Sequence, residues 1–118
     1  MTAILIVDDH AAFRQQARAL LEAEGMQIVG EAADGPSALA AFRALGPQVV
    51  LLDIGLPGRD GFAVAEQLAL EPSPPQVVLI SSREASTYSG RIGASPALGF
   101  IQKDELSAVL LQRILGIG

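Results

Sequence analysis

Short, mostly apolar runs without a regular polar alternation constrain the fold of this chain more than any other feature. Longer amphipathic stretches separate them, and the runs cover residues 3–7, 26–32, 49–52, 77–80 and 99–102. A strand that is apolar on both faces must be covered on both faces, which a parallel sheet with right-handed helical crossovers achieves. The pattern therefore predicts an α/β fold: a single doubly wound sheet of five parallel strands in a three-layer sandwich.

The stretches between the runs carry helix signals. Residues 11–23 place Phe13, Ala17, Leu20 and Leu21 at helical spacing, and Asp34 is an acidic cap for a helix that closes at Gly46. Two further helices are predicted over residues 62–70 and 105–115. The segment 86–96 is different, because seven of its eleven residues are Ser, Thr, Gly or Pro, whose propensities oppose a helix and predict a mobile segment.

Composition limits the class of protein. A length of 118 residues suits one domain over residues 1–118 and leaves no room for an output domain, and 50% hydrophobic with 18% charged residues indicates a folded chain. A net charge of −5 with only eight basic residues argues against direct nucleic-acid binding. The apolar runs are far shorter than the ~20 residues of a membrane span, and no signal peptide is visible. With no cysteine, thiol chemistry is excluded, and we expect a cytoplasmic protein without a membrane contact.

Polar side chains collect at the ends of the predicted strands. Asp8 and Asp9 follow the first strand, Asp53 the third, Ser81 the fourth, and Lys103 lies after the fifth. In open parallel sheets the ligand site lies beyond the carboxyl ends of the strands. Carboxylates, a hydroxyl and an ammonium at one edge suit a hard divalent cation such as Mg²⁺ together with a phosphoryl group.

Each of these residues also has a simpler interpretation. An Asp or Ser after a strand is commonly a helix cap, which applies to either Asp8 or Asp9 and to Ser81 or the neighbouring serine. A lysine is usually solvated on the surface. Lys103, however, is the single lysine among eight basic residues, and a compact ammonium fits a tight phosphoryl site where a planar guanidinium does not.

Two more residues near the strand ends have simple interpretations. Phe100, three residues before the lysine, is most simply a core aromatic of the last strand. His10 is most simply a loop residue, because metal sites need several suitable groups together.

Together the motifs resemble a response-regulator receiver domain of two-component signalling. The resemblance covers the whole chain, which is similar in particular to the receivers of LuxR-type regulators. The resemblance rests on residues at or near strand ends, which lie in the order Asp8, Asp9, Asp53, Ser81, Phe100 and Lys103. It also rests on the turn that begins with Asp53-Ile54-Gly55-Leu56-Pro57.

The resemblance implies a flavodoxin-like sheet of order 2-1-3-4-5 and phosphorylation of Asp53 by a sensor histidine kinase or a phosphotransfer protein. It further implies that Asp8, Asp9, Asp53 and the carbonyl of Gly55 hold Mg²⁺. Such a chain is a signalling domain that catalyses only its own phosphorylation and dephosphorylation, and it acts on an output domain or partner that the sequence does not identify.

The resemblance also assigns the remaining site residues. Ser81 and Lys103 would each contact a phosphoryl oxygen. Ser81 and Phe100 would form the switch, with Phe100 following Ser81 inward after phosphorylation. The chain departs from many receivers at Asp104, where they have a proline after a cis peptide bond, so the geometry of that bond is left open.

Two other functions use similar residues. A phosphatase of the haloacid dehalogenase type also uses Asp, Ser, Lys and Mg²⁺, but it needs Asp-x-Asp, which neither Asp8-Asp9-His10 nor Asp53-Ile54-Gly55 supplies. A flavin mononucleotide binder would place phosphate-binding amides after the first strand, where two carboxylates repel phosphate instead. A stand-alone receiver and a fragment of a longer regulator are both consistent with the sequence.

Overall fold

The computed structural model describes residues 2–116, in which strands and helices alternate along the chain. In order they are β1 (Ala3–Val7), α1 (Ala11–Ala23), β2 (Gln27–Ala32), α2 (Gly35–Leu45), β3 (Val49–Asp53), α3 (Gly61–Ala69), β4 (Gln76–Ser81), α4 (Arg91–Ala94), β5 (Gly99–Gln102) and α5 (Ala108–Leu115). Two 3₁₀ turns, Ala85–Tyr88 and Lys103–Glu105, precede α4 and α5. Within the described part, none of the helices combines the length and the apolar character that crossing a bilayer requires.

The strands form one parallel sheet of order β2-β1-β3-β4-β5, which confirms the predicted flavodoxin-like topology. The central strand β3 pairs with β1, where Val7 lies opposite Leu52, and with β4, where Asp53 lies opposite Ile80. The residues that follow β1 and β3 therefore lie side by side at the same edge of the sheet.

Two hydrophobic cores lie on the two faces of the sheet, and β1 contributes to both. Ile4 and Ile6 pack into the core that α1 and α5 cover, whereas Leu5 and Val7 pack into the core under α2 and α3. All four side chains are fully buried. This double burial explains why the strand sequences lack polar alternation.

The predicted helices differ from the structure mainly at their first residues. The last helix begins at Ala108 rather than at residue 105, because Ser107 caps it by accepting a hydrogen bond from the Leu110 amide. Helix α3 begins at Gly61, one residue before the prediction, with Asp60 as its cap. The peptide bond between Lys103 and Asp104, left open by the sequence, is trans.

The segment between β4 and β5 forms little helix, as its composition predicted. It contains the 3₁₀ turn Ala85–Tyr88 and then only the four residues of α4. Ser89 and Gly90 between them both have positive φ, at 47° and 84°, so the chain cannot continue one helix through them. The prediction from helix propensity is confirmed here.

Candidate functional site

Two buried carboxylates lie at the centre of the carboxyl edge of the sheet. Asp8 directly follows β1 and Asp53 is the last residue of the adjacent strand β3, and both are buried. The Asp8 amide donates to the Ala32 carbonyl oxygen at 3.0 Å, which holds the end of β1 against β2. The side chain of Asp9, by contrast, is one-third exposed.

Lys103 binds both buried carboxylates. Its Nζ lies 2.5 Å from Asp8 Oδ2 and 3.5 Å from Asp53 Oδ2, and its side chain is only 14% exposed. The ammonium also lies 4.7 Å from the centre of the Phe13 ring, within the range of a cation–π contact. The interpretation of Lys103 as a solvated surface lysine is therefore wrong.

The acids after β1 do not cap helix α1. Asp8 Oδ1 accepts a hydrogen bond from the His10 amide at 2.8 Å and lies 3.2 Å from His10 Nδ1. His10 itself occupies the N-cap position, and in the described part of the chain α1 has no side-chain cap. The capping interpretation of Asp8 and Asp9 is therefore wrong, and both carboxylates lie at the pocket.

The donor set of the pocket fits a hard divalent cation. Asp8, Asp9, His10 and Asp53 each offer one ligand atom, and these atoms all lie within 4.8 Å of one another. Asp8 Oδ2 is buried, and among residues 2–116 its close partner is the Lys103 ammonium at 2.5 Å. Three carboxylates face one ammonium, so the pocket attracts a cation with a preference for oxygen ligands.

Burial is the main influence on the protonation of Asp53. It raises the pKa of that carboxyl group, and the neighbouring Asp8 carboxylate raises the pKa further. The Lys103 ammonium and a hydrogen bond from the Gly55 amide, 3.2 Å from Asp53 Oδ1, lower the pKa and favour the ionised form. Gly55 thus borders the pocket through its amide, and its predicted role as a carbonyl ligand stays a prediction.

The hydroxyl of Ser81 lies at the end of β4, the strand next to Asp53. Ser81 is buried, and its Oγ accepts a hydrogen bond from the Arg83 amide at 3.0 Å. Ser81 caps no helix, because Glu84 occupies the N-cap position of the following 3₁₀ turn. The capping interpretation is wrong for Ser81 as well.

Tyr88 is a neighbour of this site that the sequence did not indicate. Its hydroxyl lies 2.5 Å from Ser81 Oγ. Its ring packs edge-on against Phe62, with centroids 5.7 Å apart, and lies 6.3 Å from the ring of Phe100. Tyr88 belongs to the segment without helical periodicity, so the one available signal was that it is the sole tyrosine of the chain.

Phe100 lies on β5 and is half-buried against the core under α2 and α3. This position agrees with the interpretation of Phe100 as a core aromatic of the last strand. The predicted role of Phe100 in a switch stays a prediction. Between Phe100 and Ser81 stands Tyr88, which contacts both.

The sheet order and the acidic pocket at its carboxyl edge define a class of protein, the flavodoxin-like α/β domains with a carboxylate site at the strand ends. The family model described as response regulator receiver domain matches residues 4–115. The chain belongs to this family, the receivers of two-component signalling.

Known proteins resemble the chain in sequence and in structure. The transcription regulator BvgA of Bordetella pertussis is 36% identical over 102 residues, which cover 86% of this chain and 49% of BvgA. The signal receiver domain of NarL from Mycobacterium tuberculosis superimposes with a TM-score of 0.85 at 33% identity, covering 98% of this chain and 97% of that one. A chain in the CheX–CheY–BeF3–Mg²⁺ complex of Borrelia burgdorferi gives a TM-score of 0.84 at 27% identity, covering 98% of this chain and 88% of that one. The chain spans about half the length of the curated relatives it matches.

Proposed function

We propose that this receiver accepts a phosphoryl group on Asp53 from the phosphohistidine of a sensor histidine kinase or a phosphotransfer protein, in a reaction that depends on Mg²⁺. One observation carries the proposal: buried Asp53 lies beside a second buried carboxylate, Asp8, and a nearly buried lysine contacts both. A carboxylate held against a like charge and an ammonium suits a nucleophile whose product is itself an anion.

The reaction needs an ionised Asp53. One carboxylate oxygen attacks the phosphorus, the new O–P bond forms as the N–P bond breaks, and the electron pair of the broken bond stays on the imidazole nitrogen of the donor. Lys103 supports the ionised form of Asp53 by lowering its pKa. After transfer, the ammonium would pair with one phosphoryl oxygen.

The residues that would hold Mg²⁺ are Asp8, Asp9, Asp53 and the carbonyl of Gly55. The ligand atoms of Asp8, Asp9 and Asp53, which lie within 4.8 Å of one another, support this assignment. When bound, the cation neutralises charge that develops on the phosphoryl oxygens. The Mg²⁺ and BeF3 in the similar CheY complex add support from a relative.

The proposed output follows from Ser81 and Phe100. Ser81 would donate a hydrogen bond to a second phosphoryl oxygen, and the resulting shift would move Phe100 and the surface between α4 and β5. BvgA, a relative by sequence, is a transcription regulator. We therefore propose that this surface acts on an output domain or separate partner that regulates transcription, while the receiver itself does not bind nucleic acid.

Intact mass spectrometry after incubation with acetyl phosphate tests this function. We expect one phosphate per chain with Mg²⁺, none after removal of the metal with EDTA, and none in Asp53→Asn. Asp34→Asn makes the same change of charge at the N-cap of helix α2 and should gain phosphate like the wild type. Wild-type incorporation into Asp53→Asn would show that Asp53 is not the nucleophile.

A further inference from the structure

Tyr88 is the link between the proposed phosphoryl contact and the rest of the segment between β4 and β5. Among residues 82–91, Tyr88 is the one side chain that is not exposed. Its hydroxyl meets the buried Oγ of Ser81 at 2.5 Å, and its ring lies between Phe62 of α3 and Phe100 of β5. A hydroxyl this close to Ser81 Oγ affects which hydrogen bonds the Ser81 hydroxyl can make.

The hydrogen bonds of the Ser81 hydroxyl can be counted. A serine hydroxyl has one proton to donate and two lone pairs that accept. The Arg83 amide fills one lone pair at 3.0 Å. Because a phenolic hydroxyl is a stronger acid than an aliphatic one, Tyr88 is the better donor of the pair, and its proton fills the second lone pair of Ser81 Oγ. Neither the Arg83 amide nor the Tyr88 hydroxyl then accepts the Ser81 proton.

We infer that Tyr88 is a positioning residue, which donates to Ser81 and so leaves the Ser81 proton free for a phosphoryl oxygen. The inference rests on the proposed function and deepens it. A phosphoryl oxygen can only accept hydrogen bonds, so it needs a hydroxyl whose lone pairs are already satisfied and whose proton is available. When Ser81 donates to the anion its oxygen becomes a better acceptor, and the bond from Tyr88 strengthens.

A double-mutant cycle tests whether Tyr88 acts through Ser81. The probe is BeF3⁻ in the presence of Mg²⁺, with its dissociation constant measured by calorimetry in wild type, Tyr88→Phe, Ser81→Ala and the double variant. Tyr88→Phe keeps the ring and its contacts with Phe62 and Phe100 and removes only the hydroxyl. We expect it to weaken binding about three- to tenfold in the wild-type background and to have almost no effect in the Ser81→Ala background.

The spectrum of Tyr88 supplies a second measurement. The chain has one tyrosine and no tryptophan, so near-ultraviolet absorption of tyrosine reports on Tyr88 alone. We expect BeF3⁻ with Mg²⁺ to shift this absorption in the wild type and to leave it unchanged in Ser81→Ala. Affinity for Mg²⁺ alone, measured in all four proteins, should stay equal and would show that the variants keep the pocket.

The other outcomes decide against the inference in distinct ways. Equal weakening by Tyr88→Phe in both backgrounds means that Tyr88 only anchors the segment, and tighter binding by Tyr88→Phe means that Tyr88 competes with the phosphoryl group for Ser81. Either result, or no change at all, overturns the positioning role while the wild type still binds the probe. A wild type that binds no BeF3⁻ and accepts no phosphate instead refutes the proposed function, and the inference falls with it.

Discussion

At the scale of single residues, we expect the pocket to require the compact ammonium group of Lys103. Lys103 Nζ contacts carboxylates from two strands, 2.5 Å from Asp8 and 3.5 Å from Asp53. A guanidinium is planar and wider, and it directs its donors in a fixed fork, so it cannot take this position between two buried oxygens without displacing one of them. This geometry gives a physical reason why position 103 is a lysine and not an arginine.

Lys103→Arg is therefore expected to weaken BeF3⁻ binding at least about tenfold, since a hydrogen bond to a charged group is lost. It should also reduce the amide chemical-shift changes that the probe causes in nuclear magnetic resonance spectra. Arg113→Lys, at an exposed position on α5, is the control and should behave like the wild type. Equal small effects of the two exchanges would mean that position 103 does not require an ammonium.

The site residues were predictable from the sequence where they lie at the end of a strand, because the strand end fixes their position. Asp8, Asp53 and Lys103 each follow or end a strand of one parallel sheet, so their proximity follows from topology. The contact of Tyr88 with Ser81 depends instead on the path of an irregular segment, which no periodicity records. The same holds for the His10 imidazole, whose place between Asp8 and Asp9 depends on the local turn.

At the scale of elements, Gly61 lets helix α3 start directly against strand β3. A Cβ atom at this position would lie 2.3 Å from the Asp53 carbonyl oxygen and 2.7 Å from Ile54 Cα, both backbone atoms that cannot yield. The Gly61 amide also donates to the Ile54 carbonyl oxygen at 2.8 Å. The close approach holds the Asp53 backbone in place.

Gly61→Ala should consequently destabilise the protein by about 2 kcal/mol or more, as overpacking against backbone does, and should weaken Mg²⁺ binding because Asp53 moves. Chemical denaturation and metal titration measure the two effects. Gly93→Ala in α4 is a matched control, because a Cβ there meets nothing within 4 Å, and we expect it to be neutral or slightly stabilising. Similar stabilities of the two variants would contradict the steric argument.

A second link between elements joins helix α1 to strand β2. Arg18 Nε donates to Glu31 Oε2 at 2.8 Å and Arg14 Nε donates to Glu31 Oε1 at 3.0 Å. The bond from Arg18, assisted by the one from Arg14, holds the pKa of Glu31 below its usual value of 4.5 against the opposing effect of burial. A carboxyl group whose pKa is lowered by folding stabilises the native state above its unfolded pKa, and this stability is lost as the pH falls through the folded pKa.

Glu31→Gln should accordingly lower the free energy of unfolding at pH 7 by about 1 kcal/mol, a modest figure because the side chain is partly solvent-screened. The difference from wild type should shrink as the pH falls below the usual value of 4.5 and through the lowered folded pKa, because wild-type Glu31 then also loses its charge. Urea denaturation at several pH values measures it, with exposed Glu24→Gln as a control that should show little difference at any pH. A loss for Glu31→Gln that is independent of pH would assign the effect to packing.

Element boundaries show where sequence reasoning was less reliable. The apolar runs predicted every strand, because burial on both faces leaves a strong pattern. The start of α5 was misplaced because Glu105 and Leu106 are good helix formers, whereas the cap at Ser107 sets the boundary. A single capping hydrogen bond outweighed the local propensity.

At the scale of the whole molecule, the carboxylates of the pocket oppose folding when no cation is bound. Burial and Asp8 raise the pKa of Asp53, so the native state holds this charge at a cost that grows as the pH rises through the folded pKa. A cation that binds only the native state offsets the cost, by about 2.7 kcal/mol at a hundred times its dissociation constant. Stability and metal binding are therefore coupled.

Asp53→Asn should melt higher than wild type without metal, by roughly 4 °C for a gain of about 1 kcal/mol, and should gain less from Mg²⁺. Asp34→Asn makes the same change of charge outside the pocket, where the Asp34 carboxylate caps α2 through the Ser37 amide. It should melt slightly lower than wild type and gain as much from Mg²⁺. Thermal melts with and without the metal measure this, and an equal Mg²⁺ shift in Asp53→Asn would refute a shared metal site.

The irregular segment between β4 and β5 also has a consequence for hydrogen exchange. Residues 82–98 contain no buried side chain, whereas β1, β3 and β4 are buried almost throughout. Amides in the segment should exchange through frequent local openings, and amides of the central strands only when the domain unfolds globally. If these openings are frequent, a protein that docks on this surface restrains the segment, and the conformational entropy it removes lowers the affinity. Any event in the pocket that restrains the segment therefore raises that affinity without adding a single contact to the docked protein.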